Sequence, residues 1–578
     1  MGWRTALAAV ATAAATVAAA AGGGVYSEHL KLQPLEHNLV LATFHFETQS
    51  DTVASDGPEQ HFGFFPRSFG QIIAGTGAQE LHLRFAHGWW DEAGWGALPD
   101  AGKYAGGTGV EVWAWMAGAD VDEAEQRWLQ LMQSLSGLFC ASLNFVDAKI
   151  SARDPISFEP EPAGAAAGGG AHLFHGALPS EPVCTENLTP FVKLLPCKGR
   201  TGVSSLLDGH KIFDAHWQGM SLDFVRVCDG GCRLEMTQEV SVVLSTERAL
   251  AKKTSQIPNP VPATDLLCNT TKPYHSAWVC FPVHDREAVE WSLRDLFGKD
   301  ISGRCALAAD SPAVSVYVTD AWEVYANGQA DMWTADGGQH FALGRDDFNL
   351  LFASQQASSV VPLTLPPVYA HRSMTGRGQE RGGIHIALRN AAPAEPVRLV
   401  YFETLPWFMR PYLHTLAVHA IGGGRLDPET VITRMHYTPA VDRVRATHLE
   451  LELTLPAGVD GVSLTYDFDK SLLYYTEYPP DANRGFDIAP GIVTVLGADR
   501  YTTRTTSLLL PLPTPDFSMP YNVIILTSTI MALAFGSIYN LLVRRFVTEA
   551  QAEAIAAANP GRLARVRALL RPGKAKRA

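Results

Sequence analysis

The sequence predicts a mainly β protein with some α-helix, in which lumenal β-sandwich-type domains are carried by a single C-terminal transmembrane helix in the type I orientation. Three observations predict it. Short segments of alternating apolar and polar residues recur along the body, which is the period of half-buried strands. No residue from Val523 to Val543 carries a charge, and at ~1.5 Å per residue such a run matches the ~30 Å hydrocarbon core of a bilayer. An apolar leader opens the chain, and all eight cysteines lie between leader and span.

Taken in order, residues 1–24 read as a secretory signal: Arg4 precedes an Ala/Val/Leu run from Ala6 to Ala21, and small residues, Gly22 to Gly24, close it. Residues 25–310 read as a lumenal β-rich α/β domain. Its strands include Leu41–Thr48, Leu81–Phe85 and Val110–Met116. A helix is expected from about Asp122, because Trp128, Leu131, Leu135, Leu138 and Phe139 recur at steps of three and four behind an acidic first turn. Pro160–Ala171, rich in alanine and glycine, reads as a flexible loop. A second helix is expected over about Arg286–Phe297, ended by Gly298.

Residues 311–515 read as an antiparallel sandwich built from Ala313–Val318, Ile384–Leu388, Val397–Phe402, Leu449–Leu455, Val462–Phe468 and Ile492–Val495. The glycine-rich Gly376–Gly383 lacks the Lys-Ser/Thr ending of a phosphate loop and reads as a hairpin loop. Residues 516–543 approach and cross the membrane. The tail, 544–578, holds nine Lys and Arg against two Glu, so it belongs on the cytosolic face.

With the tail basic and Arg4 in the leader, the body is about eight charges more negative than the −13 of the whole chain. So acidic a body excludes a nucleic-acid binder. The 19 histidines form no HExxH and no serine sits in GxSxG, so neither a metal site, a cofactor nor a hydrolase motif is expected. Cys228 and Cys232, in CDGGC, lack a second CxxC for zinc and point to a short disulfide loop or to pairing with other cysteines. Cys268 and Cys280 are expected to pair with each other. Two sequons, at Asn187 and Asn269, are glycosylation acceptors if their loops are exposed.

Four segments resemble the PIG-T family of GPI transamidase subunits: SGLFCASLNFVD (Ser136–Asp147), VCTENLTPFVKLLPC (Val183–Cys197), TEYPPDANRGF (Thr476–Phe486) and the stretch PTPDFSMPYN…GSIYNLL. The resemblance implies a non-catalytic, single-pass endoplasmic reticulum subunit of the complex that replaces a C-terminal propeptide with a glycosylphosphatidylinositol anchor. The partners it implies are the caspase-like PIG-K catalytic subunit, the multi-span subunits and the GPI glycolipid. It makes Cys184 the site of an interchain disulfide to the catalytic subunit. It also places Asn483, Asp516, Ser518 and Asn522 against the glycolipid. Setting Cys184 aside leaves seven cysteines, so another must stay free or pair outside. Cys140 is expected to be a buried thiol or to pair with Cys197. The reading from another class is a cell-surface receptor or adhesion protein, which the same architecture allows.

Overall fold

The computed structural model describes residues 24–50, 63–228, 232–251 and 268–558, apart from short stretches at 273–275, 277, 282–286, 310–312, 328–330, 377, 379, 480, 498–499, 515 and 517. The expected leader, but for Gly24, and the tail from 559 lie outside these residues. The body through Pro513 is one compact unit, and the chain from Thr514 is another.

Within the body, a sheet of eleven described strands runs edge to edge through Asp331–Ala335, Gly338–Ala342, Val314–Val316, Val25–Leu35, Leu39–Gln49, Cys232–Ser245, Trp217–Cys228, Ala78–Gly88, Gly109–Ala117, Ala171–Leu178 and Ala152–Arg153. Alternation sorts its side chains to two faces. Val40, Ala42, Phe44 and Phe46 enter a core covered by helices, whereas Leu39 and Leu41 join a second core that they share with the sandwich. The sheet therefore lies between the helices and the sandwich.

The principal covering helix is Val121–Phe139. The Asp120 carboxylate caps it by accepting from the Glu123 amide at 2.8 Å, and Trp128, Leu131, Met132, Leu135 and Phe139 are its buried face. Trp128 stacks on Phe174 with centroids 5.6 Å apart, a contact whose removal by Ala costs about 3–5 kcal/mol.

The sandwich faces one five-stranded sheet, containing Val368–Thr375, Arg381–Asn390 and Gly461–Lys470, with another containing Val397–Leu405, Thr447–Leu455 and Ile492–Val495. Leucine, isoleucine and valine fill the space between them. Inside, the fully buried Arg372 pairs with Glu403 at 3.0 Å, and the hydroxyl of Tyr401 donates to the same carboxylate at 2.8 Å. The glycine-rich Gly376–Gly383 does join two strands as a hairpin, with Thr375 opposite Gly383.

Three expectations are corrected. The sheets do not change near 310: Val314–Val316 pairs in parallel with Val25–Leu35, and Gly338–Ala342 and Asp331–Ala335 follow it into the first sheet, while Trp322–Asn327 pairs with Asn349–Ser354 in a smaller one. Instead of a helix from 286, Val289–Ser292 is a strand and only Leu293–Phe297 is helical, ended by Gly298; Arg286 lies outside the described residues. Cross-strand stacking of Trp291 on Phe352, with centroids 4.0 Å apart, favours the strand. Nor does the alanine-glycine stretch hang free. The Glu80 carboxylate accepts from the Glu161 amide, Gly164 bridges to Val227, and Ala166 is buried.

In the second unit, Ser518–Val543 is one helix, of which Tyr521–Val543 is long and apolar enough to cross a bilayer. Its side chains are exposed, as a helix solvated by lipid requires. Among the described residues it is the one helix of that kind, which is consistent with a single-pass membrane protein.

Candidate functional site

Two of the sequence segments singled out above meet in one corner of the body. Val121–Phe139 ends at Cys140, which adopts φ 52°, and Thr185–Leu194 begins at Cys184. The Asn187 side chain joins these ends. Its Oδ1 accepts from the Cys184 amide at 2.8 Å, and its Nδ2 donates to the Phe139 carbonyl at 2.9 Å. One amide thus satisfies the start of one helix and the end of the other. The Glu181 carboxylate, which accepts from the Ser142 amide at 2.8 Å, fastens the same two segments again.

This geometry changes the meaning of three residues. Asn187 is 1% exposed, so its amide is a structural clamp with no outlet for a glycan, contrary to the reading of its sequon. Cys140 is exposed, not buried, because it lies just past the helix end and the apolar face stops at Phe139. Nor does it pair with Cys197, which is bonded to Cys305. The structure also joins Cys228 to Cys232 and Cys268 to Cys280. Among the described residues Cys140 and Cys184 are the free cysteines, and Cys184 is half-exposed at its helix N-terminus. At Asn269 the geometry is the opposite of that at Asn187: its half-exposed side chain accepts from the Thr271 amide and hydroxyl in a surface turn.

Asn483 is exposed in a turn spanning Asp481–Arg484. Gly485 follows with φ +98°, and a Cβ there would stand 2.4 Å from the Leu510 carbonyl oxygen, so glycine permits the close pairing of Phe486 with Leu510. The Tyr478 hydroxyl donates to the Pro513 carbonyl at 2.6 Å. The Asn483 loop is thereby fastened to the last residues of the body. Its motif also meets the first one: Thr476, Glu477 and Phe486 share with Phe145 and Asp147 the lining of a cavity of about 520 Å3.

In the second unit the exposed Asp516 accepts from the Ser518 amide at 2.9 Å, capping the helix that Ser518 begins. Hydrogen bonds from Ser518 hold its carboxyl below the usual range, so it is ionised at neutral pH. Ser518 and Asn522 are exposed on the first turns.

Sheet and sandwich meet along a polar seam that the sequence motifs do not reveal. Arg504 pairs with Glu111 at 2.8 Å, and the indole of Trp113 donates to the same carboxylate at 2.8 Å. Burial alone would raise the Glu111 carboxyl, but Arg504 overrides it and holds it at about 2. Nearby, burial likewise opposes ionisation of Asp223, and Arg84 and His82 bring it down to about 2. His82, itself disfavoured as a cation by burial, is raised by Asp223 and Glu80.

Comparison with known proteins gives the corner its context. Residues 6–568 match the family described as "Gpi16 subunit, GPI transamidase component". The chain belongs to that family. It is 40% identical to "GPI transamidase component GPI16" of Saccharomyces cerevisiae, with 92% of this chain and 90% of the yeast protein covered. It is 33% identical to "GPI transamidase component PIG-T homolog" of Schizosaccharomyces pombe, over 91% and 90%. With "GPI-anchor transamidase component PIGT" of Homo sapiens the identity is 30% over 90% of each. Family membership therefore covers the corner, the Asn483 loop and the membrane helix alike.

Proposed function

We propose that this family member is the non-catalytic scaffold of GPI transamidase, an endoplasmic reticulum subunit with a lumenal body and cytosolic C-terminus. Its partners are the caspase-like catalytic subunit, disulfide-linked through Cys184, and the multi-span subunits. The observation that carries the reading is the corner: Cys184 is a free, half-exposed thiol at a helix N-terminus, and its backbone is fixed by the Asn187 side chain. A thiol held in one orientation favours one partner sulfur, because disulfide geometry is narrow.

Asn483, Asp516, Ser518 and Asn522 offer amides, a carboxylate and a hydroxyl, groups that bind sugar hydroxyls and ethanolamine ammonium. We assign them to the GPI glycolipid. The scaffold's contribution to rate is positional: an acyl-enzyme held beside the anchor's amine transfers to that amine rather than to water. Affinity purification of the full chain from mild detergent tests this reading. A caspase-like subunit and multi-span subunits in the eluate support it, and a chain recovered alone would overturn it.

A further inference from the structure

In the sandwich sheet that packs on the eleven-stranded sheet, strand Ile432–Thr438 lies at the edge and pairs with Thr447–Leu455, setting His436 opposite Glu450 and Thr438 opposite His448. Leu449, Leu451 and Leu453 point into the sandwich core. The intervening His448 and Glu450 therefore point the other way, and strand pairing puts His436 on their face.

We propose that His436, His448 and Glu450 bind one zinc-type divalent ion through two imidazole nitrogens and one carboxylate oxygen. The three ligand atoms lie within 4.8 Å of one another, close enough to converge on an ion about 2.0–2.2 Å from each. His448 is 3% and Glu450 1% exposed, and the half-buried His436 supplies the side by which an ion arrives.

Two further observations favour a ligand over a finished hydrogen-bond network. His448 Nε2 lies 2.7 Å from Glu450 Oε1 but out of line for a hydrogen bond, so a buried nitrogen remains without a satisfied partner. The Glu450 carboxylate is already oriented by the Ile156 amide, 2.9 and 3.1 Å from its two oxygens, as outer partners orient metal-bound carboxylates. The Phe402 and His436 rings flank the His448 ring, with centroids 5.2 and 5.4 Å away, and restrict its rotation.

Two nitrogens and one oxygen suit zinc and disfavour magnesium and calcium, which take oxygen ligands. The fourth corner of the tetrahedron falls to water. Since Ile432–Thr438 is an edge strand, the ion would pin that edge to its neighbour, an assignment independent of any role in anchor transfer.

The test is zinc uptake by the purified full-length chain in mild detergent, after its free thiols have been alkylated so that Cys140 and Cys184 do not contribute. Metal content is read by mass spectrometry after removal of excess Zn2+. The expected result is roughly one ion per wild-type chain, with magnesium not substituting. His436→Ala, at a half-buried position, should weaken uptake by more than the ~10–100-fold that even an outer-shell partner is worth. Zinc should raise the melting temperature of the wild type and not of the variant. A wild-type chain that takes up no zinc overturns the proposal whether or not the variant folds. Equal uptake by wild type and a folded His436→Ala chain also overturns it.

Discussion

The helix corner around Cys184 and the seam between sheet and sandwich are both polar junctions, but they are held by opposite means. At the corner a neutral amide, Asn187, joins two backbone ends. At the seam buried charge does the holding: Glu111 of the sheet pairs with Arg504 of the sandwich, beside Asp223, which pairs with Arg84 and His82 within the sheet. The Asn187 amide has no titrating part, so its two hydrogen bonds do not depend on pH. An ionic seam is strong only while every partner keeps its charge, because an unpaired buried charge is costly. The comparison teaches that local positioning of Cys184 and the joining of the two layers can be broken separately.

The largest effect is expected at the seam. Arg504→Ala leaves Glu111 charged, buried and unpaired, and should lower stability by about 3–5 kcal/mol, read as a fall in chemical-denaturation midpoint. An unchanged midpoint would show that the seam is not held by this pair.

Acid should act next, on the buried carboxylates at and beside the seam. The carboxyls of Glu111 and Asp223 are held at about 2, below their unfolded values of roughly 4. A depressed folded value means stability that is present above the unfolded value and lost as pH falls from there towards about 2. The raised His82 works in the other direction, its contribution being present below its unfolded value and lost as pH rises through its folded one. Melting temperature should drop steeply below about pH 4 in wild type and less steeply in Glu111→Gln. Equal slopes would remove Glu111 from the account.

Asn187→Ala sharpens the other half of the comparison. It leaves the Phe139 carbonyl and the Cys184 amide without their partner, at a cost of about 1–3 kcal/mol, and that loss should not depend on pH. If Asn187 carried a glycan instead, glycosidase treatment of wild type would remove two glycans, whereas the structure expects none at this position.

The smallest effect on stability belongs to Asp516→Ala. Asp516 is exposed and its loss removes one helix cap, so stability should fall by no more than ~1 kcal/mol and complex assembly should be unchanged while attachment of GPI anchors to reporter proteins falls. Unchanged attachment would remove Asp516 from the glycolipid contact.

Much of this architecture was legible in the residues. Period-two alternation located strands such as Leu39–Gln49 and Gly109–Ala117, and the three-and-four spacing from Trp128 to Phe139 located the covering helix. The membrane helix follows from one uncharged run. Pairing over long distances was not legible: nothing near Val314 announces a parallel partner at Leu30, and Cys197 meets Cys305 across 108 residues. The sequon at Asn187 needs an exposed loop, and the same letters also serve a buried helix clamp. The signal that could have found the clamp was its position three residues into a helix beginning at Cys184, where a side chain reaches back to the first amide. His436, His448 and Glu450 were invisible because only strand pairing brings them together.

The central claim is that Cys184 is the covalent contact of a scaffold. A non-reducing gel of the complex purified in mild detergent, wild type beside Cys184→Ser, tests it most directly. The account predicts a heavier, reducible band in wild type that mass spectrometry identifies as this chain joined to a caspase-like subunit, absent from the variant although its melting temperature is unchanged. The same heavier band surviving in Cys184→Ser, or no such band in wild type, would contradict it.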